Sequence, residues 1–424
     1  MSTTIGKRLP AEIPAPLTFE SGSASALRAA LRRSARRGQV KALLLVAPLL
    51  VFLSVTFIVP IGFLLVRSVD NQEIASALPR TSSALAAWDG RDLPPPDAYA
   101  ALAADLQGSP REQIADAARR LNFYQAGLRS LLSRTTRAAA EISRPDARER
   151  LLALDPAWGK HATWTVLKRG TRRLTDYYLL ASVDLRRDEQ GNLGRNEADA
   201  LYLDVLWRTV GISLAVALLC LTIGYPVAYF LATTSPAWSA RLMMFILLPF
   251  WTSLLVRTTA WLVLLQSNGV VNALLSWIGL VSRPLELVHN RVGVLIAMTH
   301  ILLPFVILPV LAVMKGISPV YMRAASSLGA PFWRAFLRVY LPMTLPGVGA
   351  GTLLVFILAL GYYITPTLVG GPRDQMLSTF IAYFVNQSTN WGMAAALSTV
   401  LLAIVLMLYV VLAIAFGSKR GGLR

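Results

Sequence analysis

Three observations predict an all-α, polytopic membrane protein with six transmembrane helices and a large extracytoplasmic insertion after the first. The 424 residues are 55% hydrophobic, and the mean hydropathy is positive, at +0.53. The apolar residues gather into runs near 42–66, 205–232, 242–266, 291–314, 343–365 and 393–416. Each run has the roughly 20 residues that a hydrocarbon core about 30 Å thick requires of a helix. The charge is also segregated. Residues 71–203 hold 19 Lys and Arg against 17 Asp and Glu, leaving 22 basic and 6 acidic residues elsewhere. The net charge of +18 therefore flanks the spans, which is a topological signal before it is a nucleic-acid one.

The flanking charge sets the orientation. Arg28, Arg32, Arg33, Arg36, Arg37 and Lys41 precede the first run, and Lys419, Arg420 and Arg424 follow the last. Both termini are expected in the cytoplasm, which an even number of spans permits. The loop carrying Arg323, Arg334 and Arg338 then faces the cytoplasm too. The first run is too long for the apolar core of a signal peptide, about 7–15 residues, and reads as an uncleaved span. The expected organisation is a basic N-terminal segment (1–41), the first helix (42–67), the insertion (68–203), a five-helix core (204–416) and a short tail (417–424). The Ala-rich, basic stretch before residue 41 suits a short helix on the anionic inner leaflet, for orientation or for contact with a partner.

In the insertion, Leu93-Pro94-Pro95-Pro96 reads as an extended linker. Ser109-Pro110-Arg111-Glu112 has the form of a capping box with Pro at the first helical position, opening a helix expected to run to about Ser143. A second segment holds Trp158, Trp164, Tyr177 and Tyr178, and Asp188-Glu189-Gln190-Gly191-Asn192 reads as a turn. The insertion is either a platform for an extracytoplasmic partner or a packed unit with no direct role.

Between the fourth and fifth runs, residues 318–342 form a charged helix-Gly-helix pattern. Ser318 and Pro319 suit the start of one helix, Gly329 its left-handed end and Pro331 the start of another. Leu328, Phe332 and Phe336 recur four apart, a continuous stripe if helical register crosses the Gly turn. The stretch resembles the EAA loop of ABC-importer permeases: Ala324, Ala325, Gly329, Leu341 and Pro342 fall at the matching spacing, Val339 stands for the Ile and Arg323 for the Glu. That resemblance implies a type I ABC-importer bundle in the bacterial inner (plasma) membrane, with a coupling helix that docks on an ABC ATPase subunit. Arg323, Ala324, Ala325, Leu328, Gly329, Phe332 and Phe336 are the implied coupling residues. A second permease subunit and an extracytoplasmic solute-binding protein are the other implied partners. ATP and Mg would be bound by the ATPase, and no cofactor is expected in this chain.

Leu248-Pro249-Phe250-Trp251-Thr252-Ser253-Leu254-Leu255-Val256-Arg257-Thr258 and Gln266-Ser267-Asn268-Gly269 are similar to the third-span signature of the spermidine/putrescine class of these permeases. Gly361-Tyr362-Tyr363-Ile364-Thr365-Pro366 and the Gly-Gly-Pro that follows resemble the same class beyond the fifth span. Trp251, Arg257, Asn268, Tyr362 and Tyr363 are the substrate-path candidates. Pro249 is expected to bend or interrupt its helix, and Arg257 is an ionisable group in an apolar run, placed there for function or for a structural bond. Residues 269–290 suggest an amphipathic helix along the membrane, interrupted at Pro284. The resemblance implies polyamine cargo. After Asp204, however, the acidic residues are Glu286 and Asp374, both outside the runs, so an anionic or neutral solute (amino-acid or opine-like) stays open.

Other classes fit less well. No Gly-x-x-x-x-Gly-Lys-Ser/Thr stretch occurs, so nucleotide hydrolysis is expected in another subunit. No catalytic constellation is found, and three dispersed histidines with the single Cys220 do not make a metal site. Cys220 reads as a buried, inert thiol. An ion-coupled secondary transporter would need its own ion site and internal repeats. A DNA-binding regulator is disfavoured because spans on both sides tether the helix-Gly-helix, and no nucleic-acid partner is expected.

Overall fold

The computed structural model describes residues 41, 44–143, 145–187, 192–195 and 200–417. The basic segment before Lys41, the tail from 418 on and, of the turn expected at Asp188–Asn192, all but Asn192 lie outside those residues. Among the described residues six helices are long and apolar enough to cross a membrane, and the chain divides after Phe63 into two compact units.

The first span is Leu44–Arg67. Leu45, Phe52, Phe57 and Phe63 are exposed, so the helix presents apolar side chains nearly all round. Such a helix is at ease only in hydrocarbon or against other apolar helices. Pro60 falls inside it, and the turn before widens to π geometry over Ser54–Ile58, with Val59 N–H donating to Ser54 O. The wider turn makes room for the proline ring.

In the second unit the insertion is a helical body with its own core. Helices at Pro79–Ala87, Pro96–Gly108, Arg111–Tyr124, Leu128–Ala138, Ala147–Leu154 and His161–Gly170 bury Ile74, Leu85, Tyr99, Leu102, Leu121, Leu132, Leu151, Trp158 and Trp164. Pro95 is extended, but Pro96, expected within the extended linker, is already the first residue of a helix, where a proline's missing N–H costs nothing. Asp105, buried, accepts from Thr81 N (2.7 Å) and Thr81 Oγ1 (2.8 Å), satisfying donors at the start of Pro79–Ala87. The single long helix expected from Ser109 to about Ser143 is not formed. The chain breaks at Gly127 (φ +94) and resumes at Leu128. The capping box is absent as well: Ser109 Oγ donates to Ala77 O at 2.7 Å, a tertiary bond that outcompetes the local one. Leu185–Arg187 and Leu193–Arg195 pair antiparallel on either side of the expected turn.

The membrane core is built from the second (Tyr202–Thr233), fourth (Arg291–Lys315) and fifth (Phe332–Leu360) spans. Small residues let their backbones approach, the usual device where lipid offers no hydrophobic drive. A Cβ at Gly224 would sit 3.2 Å from the Val306 side chain, and one at Gly351 3.1 Å from Val306 O. Gly351→Leu is therefore expected to wedge the fourth and fifth spans apart at a cost of about 1–3 kcal/mol. The thermal midpoint of the detergent-purified protein should fall, and an unchanged midpoint would contradict the close packing. Cys220 is buried here, with Sγ 3.4 Å from Thr299 O.

The third apolar run departs from its expected bounds of 242–266. A helix at Pro236–Leu247 gives way to a 3-10 turn at Leu248–Trp251, and a second helix runs over Leu254–Leu265. The third candidate span is Leu254–Trp277, which takes in Leu254–Leu265 and the helix Val270–Trp277 that follows. Pro249 interrupts rather than bends. The membrane-parallel helix expected over 269–290 is short, ending at Trp277, with Gly279 at φ +73 well before Pro284. Beyond the fifth span the Gly-rich exit holds two helices, Ile364–Val369 and Leu377–Asn386.

Candidate functional site

The 318–342 stretch folds much as its punctuation dictates. Ser318 Oγ accepts from Val320 N at 3.4 Å, a helix runs over Val320–Ser327, and Gly329 takes the left-handed conformation at φ +82. Pro331 caps a helix beginning at Phe332. This second helix is not a separate element. It passes through a π turn at Phe336–Tyr340, where Leu341 N–H donates to Phe336 O, and continues into Leu341–Leu360. The π turn lets Pro342 sit inside a continuous helix without its ring striking the preceding turn. A displacement of Phe332 is thereby a displacement of the fifth span.

The expected stripe of Leu328, Phe332 and Phe336 is not continuous. Helical register is lost over Gly329–Pro331, and Leu328 stands 89% exposed at the turn. Phe332 and Phe336 do stack, at 6.0 Å between centroids. Phe336 is half-buried and points inward, in edge contact with Tyr229 of the second span at 5.6 Å and stacked on Tyr340 at 5.6 Å. It connects the loop to the second span, a role that four-residue spacing did not reveal. The outer surface is instead Val320, Tyr321, Leu328, Phe332, Leu337 and Trp333, the last 70% exposed. Arg323 and Ala324 are exposed beside them and Ala325 is half-buried. Trp333 and Tyr321 were missed, although exposed aromatics next to a glycine turn are a readable signal.

The substrate-path candidates do not form one cluster. Trp251, 90% exposed, lies at the break before Leu254–Leu265, and the exposed Asn268 lies beyond its far end. A helix of about 18 Å separates them. Arg257 and Tyr362 lie within electrostatic reach of each other. The Arg257 charge acts on both Tyr362 and His300, while burial pushes the Tyr362 phenol up and Arg257 opposes that. Arg257 Nε is buried and has no hydrogen-bond partner among the described residues. Tyr363 is exposed beside Tyr362. His300 accepts from Trp261 Nε1 at 3.1 Å, and Thr258 shares a hydrogen bond with Thr365 at 3.1 Å, tying the third span to the exit after the fifth.

The Gly370-Gly371 pair is packed, not open. His289 N donates to Val369 O at 2.6 Å, and Asp374 accepts from Gly371 N and, at 3.0 Å, from Arg291 Nε. Sequence reasoning also missed Asn272, buried and bonded through its amide to Gln266 O, Leu285 O and Leu285 N, which fastens the segment after the third span. Among the described residues no three His, Cys, Asp or Glu converge to hold a metal.

Residues 209–420 match the family described as binding-protein-dependent transport system inner membrane component. The spermidine/putrescine transport system permease protein PotB of Haemophilus influenzae is 34% identical over 217 residues, covering 50% of this chain and 76% of that protein. PotB of Escherichia coli is 31% identical over 214 residues, covering 50% and 78%. A solved bacterial alginate ABC transporter, in complex with its alginate pentasaccharide-bound periplasmic protein, shows 21% identity over 49% of this chain and 76% of that one, with a TM-score of 0.40.

Proposed function

Because this chain belongs to the binding-protein-dependent inner membrane component family and is the membrane permease subunit of an ABC importer, we propose that it carries a polyamine such as spermidine or putrescine into the cytoplasm by alternating access. It is a multi-pass inner-membrane protein, and ATP hydrolysis belongs to a separate subunit. In this reading both termini and the 318–342 loop face the cytoplasm, where the ATPase docks on the face carrying Leu328 and Trp333. A second permease subunit completes the pore and a solute-binding protein delivers the cargo outside. The observation that supports coupling at this loop is its helical continuity from Phe332 to Leu360. Closure of the ATPase would move the fifth span directly, and through Phe336 and Tyr229 the second.

The polyamine reading rests on the likeness to PotB. One observation favours a second reading, an anionic cargo: Arg257 Nε is buried and unpartnered, and Glu286 and Asp374 are the acidic residues after Asp204. A polycation would need the partner subunit's charges or aromatic faces such as Tyr362. Arg257→Gln separates the two. Polyamine uptake by the reconstituted importer should be unchanged or faster if a cation passes this point. Loss of polyamine uptake, about tenfold or more with assembly intact, would make Arg257 structural, whereas no polyamine uptake by the wild type and an Arg257-dependent uptake of an anionic solute would favour an anion held by the guanidinium.

A further inference from the structure

A groove of about 300 Å³ runs between the second and fifth spans, lined by Leu221, Tyr225 and Pro226 of the one and by Leu341, Leu345 and Val348 of the other. Both spans belong to the second compact unit. The hydroxyls on its walls are already engaged. Thr222, also on the groove, donates through Oγ1 to Leu218 O at 2.8 Å, and Tyr225 OH shares a hydrogen bond with Thr344 Oγ1 at 3.2 Å. A polar solute would lose its water there for little return, whereas an alkyl chain gains dispersion contacts along the whole wall.

We propose that this groove binds one anionic phospholipid of the leaflet on the side of the 318–342 loop, with an acyl chain against Leu341, Leu345 and Val348 and the phosphate held by Arg338 and Arg334. Depth supports this placement. The fifth span has 29 residues, about 43 Å at 1.5 Å per residue, against a hydrocarbon core about 30 Å thick. Centred in the bilayer, it leaves about 7 Å outside at the loop end, so hydrocarbon begins near residues 336–338. The second span has 32 residues, and the same reckoning puts its boundary about six residues before Thr233, next to Pro226. The groove therefore starts just inside the hydrocarbon on both helices, with Arg338 at the boundary and Arg334 in the headgroup layer.

Charge points to the same occupant. Arg334 and Arg338 are exposed, and neither has an ion-pair partner among the described residues. The stretch 318–342 contains no Asp or Glu, and the acidic residues after Asp204, Glu286 and Asp374, each lie a full span away from it. Basic groups at the mouth of a cleft between spans are an arrangement that retains anionic headgroups, and guanidinium matches phosphate bidentately. The site depends neither on the cargo nor on which side of the membrane the loop faces. Because Arg338 lies within the π turn Phe336–Tyr340, a lipid held there would brace the link between the loop and the fifth span.

The test uses the full-length protein in mild detergent, titrated with phosphatidylglycerol and with phosphatidylcholine of identical chains and read by native mass spectrometry. Phosphatidylglycerol should bind about tenfold or more tightly than phosphatidylcholine. Arg334→Gln with Arg338→Gln, which alters exposed groups alone, should erase that preference. Leu345→Trp, which fills the groove, should weaken both lipids about tenfold, with the thermal midpoint as a check on folding. Equal affinities in the wild type, a preference that survives the double variant, or phosphatidylglycerol binding unchanged by Leu345→Trp overturns the proposal. Benzoylphenylalanine in place of Leu345, irradiated in the native membrane, identifies the occupant independently. A phospholipid adduct supports the lipid, whereas an adduct to another polypeptide, or no lipid adduct, refutes it.

Discussion

Leu328→Asp combined with Trp333→Asp is expected to abolish capture of the ATPase subunit and ATP-dependent uptake while leaving the fold intact. Leu328 and Trp333 are 89% and 70% exposed, and Trp333 keeps only edge contacts with Phe332 at 5.6 Å and Phe336 at 6.3 Å, so neither is part of the buried core. A buried interfacial Trp commonly costs 2 kcal/mol or more on truncation, and placing a carboxylate in the seam adds desolvation. Two such losses amount to about 4 kcal/mol, roughly a thousandfold in affinity. Co-purification of the ATPase from mild detergent and uptake in proteoliposomes measure the effect, with the thermal midpoint of the variant as control. Retained association would place the docking surface elsewhere.

Trp164→Ala is expected to destabilise the insertion by about 3–5 kcal/mol. The indole is fully buried between Tyr99, at 4.5 Å between centroids, and Trp158, at 5.5 Å. Its Nε1 donates to Trp158 O at 2.8 Å, and Tyr99 OH donates to the same carbonyl at 3.2 Å. The cavity cannot close easily because Trp158 is held in turn by Thr135 Oγ1 at 3.1 Å. Limited proteolysis should show cleavage within residues 68–200 at temperatures where the wild type resists. Uptake then decides the insertion's role. Loss of transport with spans intact supports a platform for the delivering protein, whereas transport surviving an opened insertion rules the platform out.

The positions that were legible beforehand share a property. Gly329 ends its helix because a left-handed turn is a local requirement that the residue alone meets. The apolar runs become spans because length and composition decide partition into lipid without reference to neighbours. Ser109 shows where local reading stops: its capping pattern was complete, yet the hydroxyl went to Ala77 O, 32 residues away. Pro342 shows it again, since this proline at the end of the 318–342 pattern is absorbed by a π turn inside a helix that the second span supports.

The amino-acid sequence on its own determined the six apolar runs, the helix-Gly-helix loop and the lack of acidic residues within the runs after Asp204, because each follows from composition or from the conformational limits of single residues. Only the tertiary structure decided that Phe336 faces Tyr229, that the Arg257 charge acts on Tyr362, and that arginines from the first span's end and the insertion share a cleft with Trp391. Those pairings join residues about 50 to more than 300 positions apart. Helix packing selects them by shape and close approach at Gly224, Gly351 and Gly392, and no local pattern encodes that complementarity.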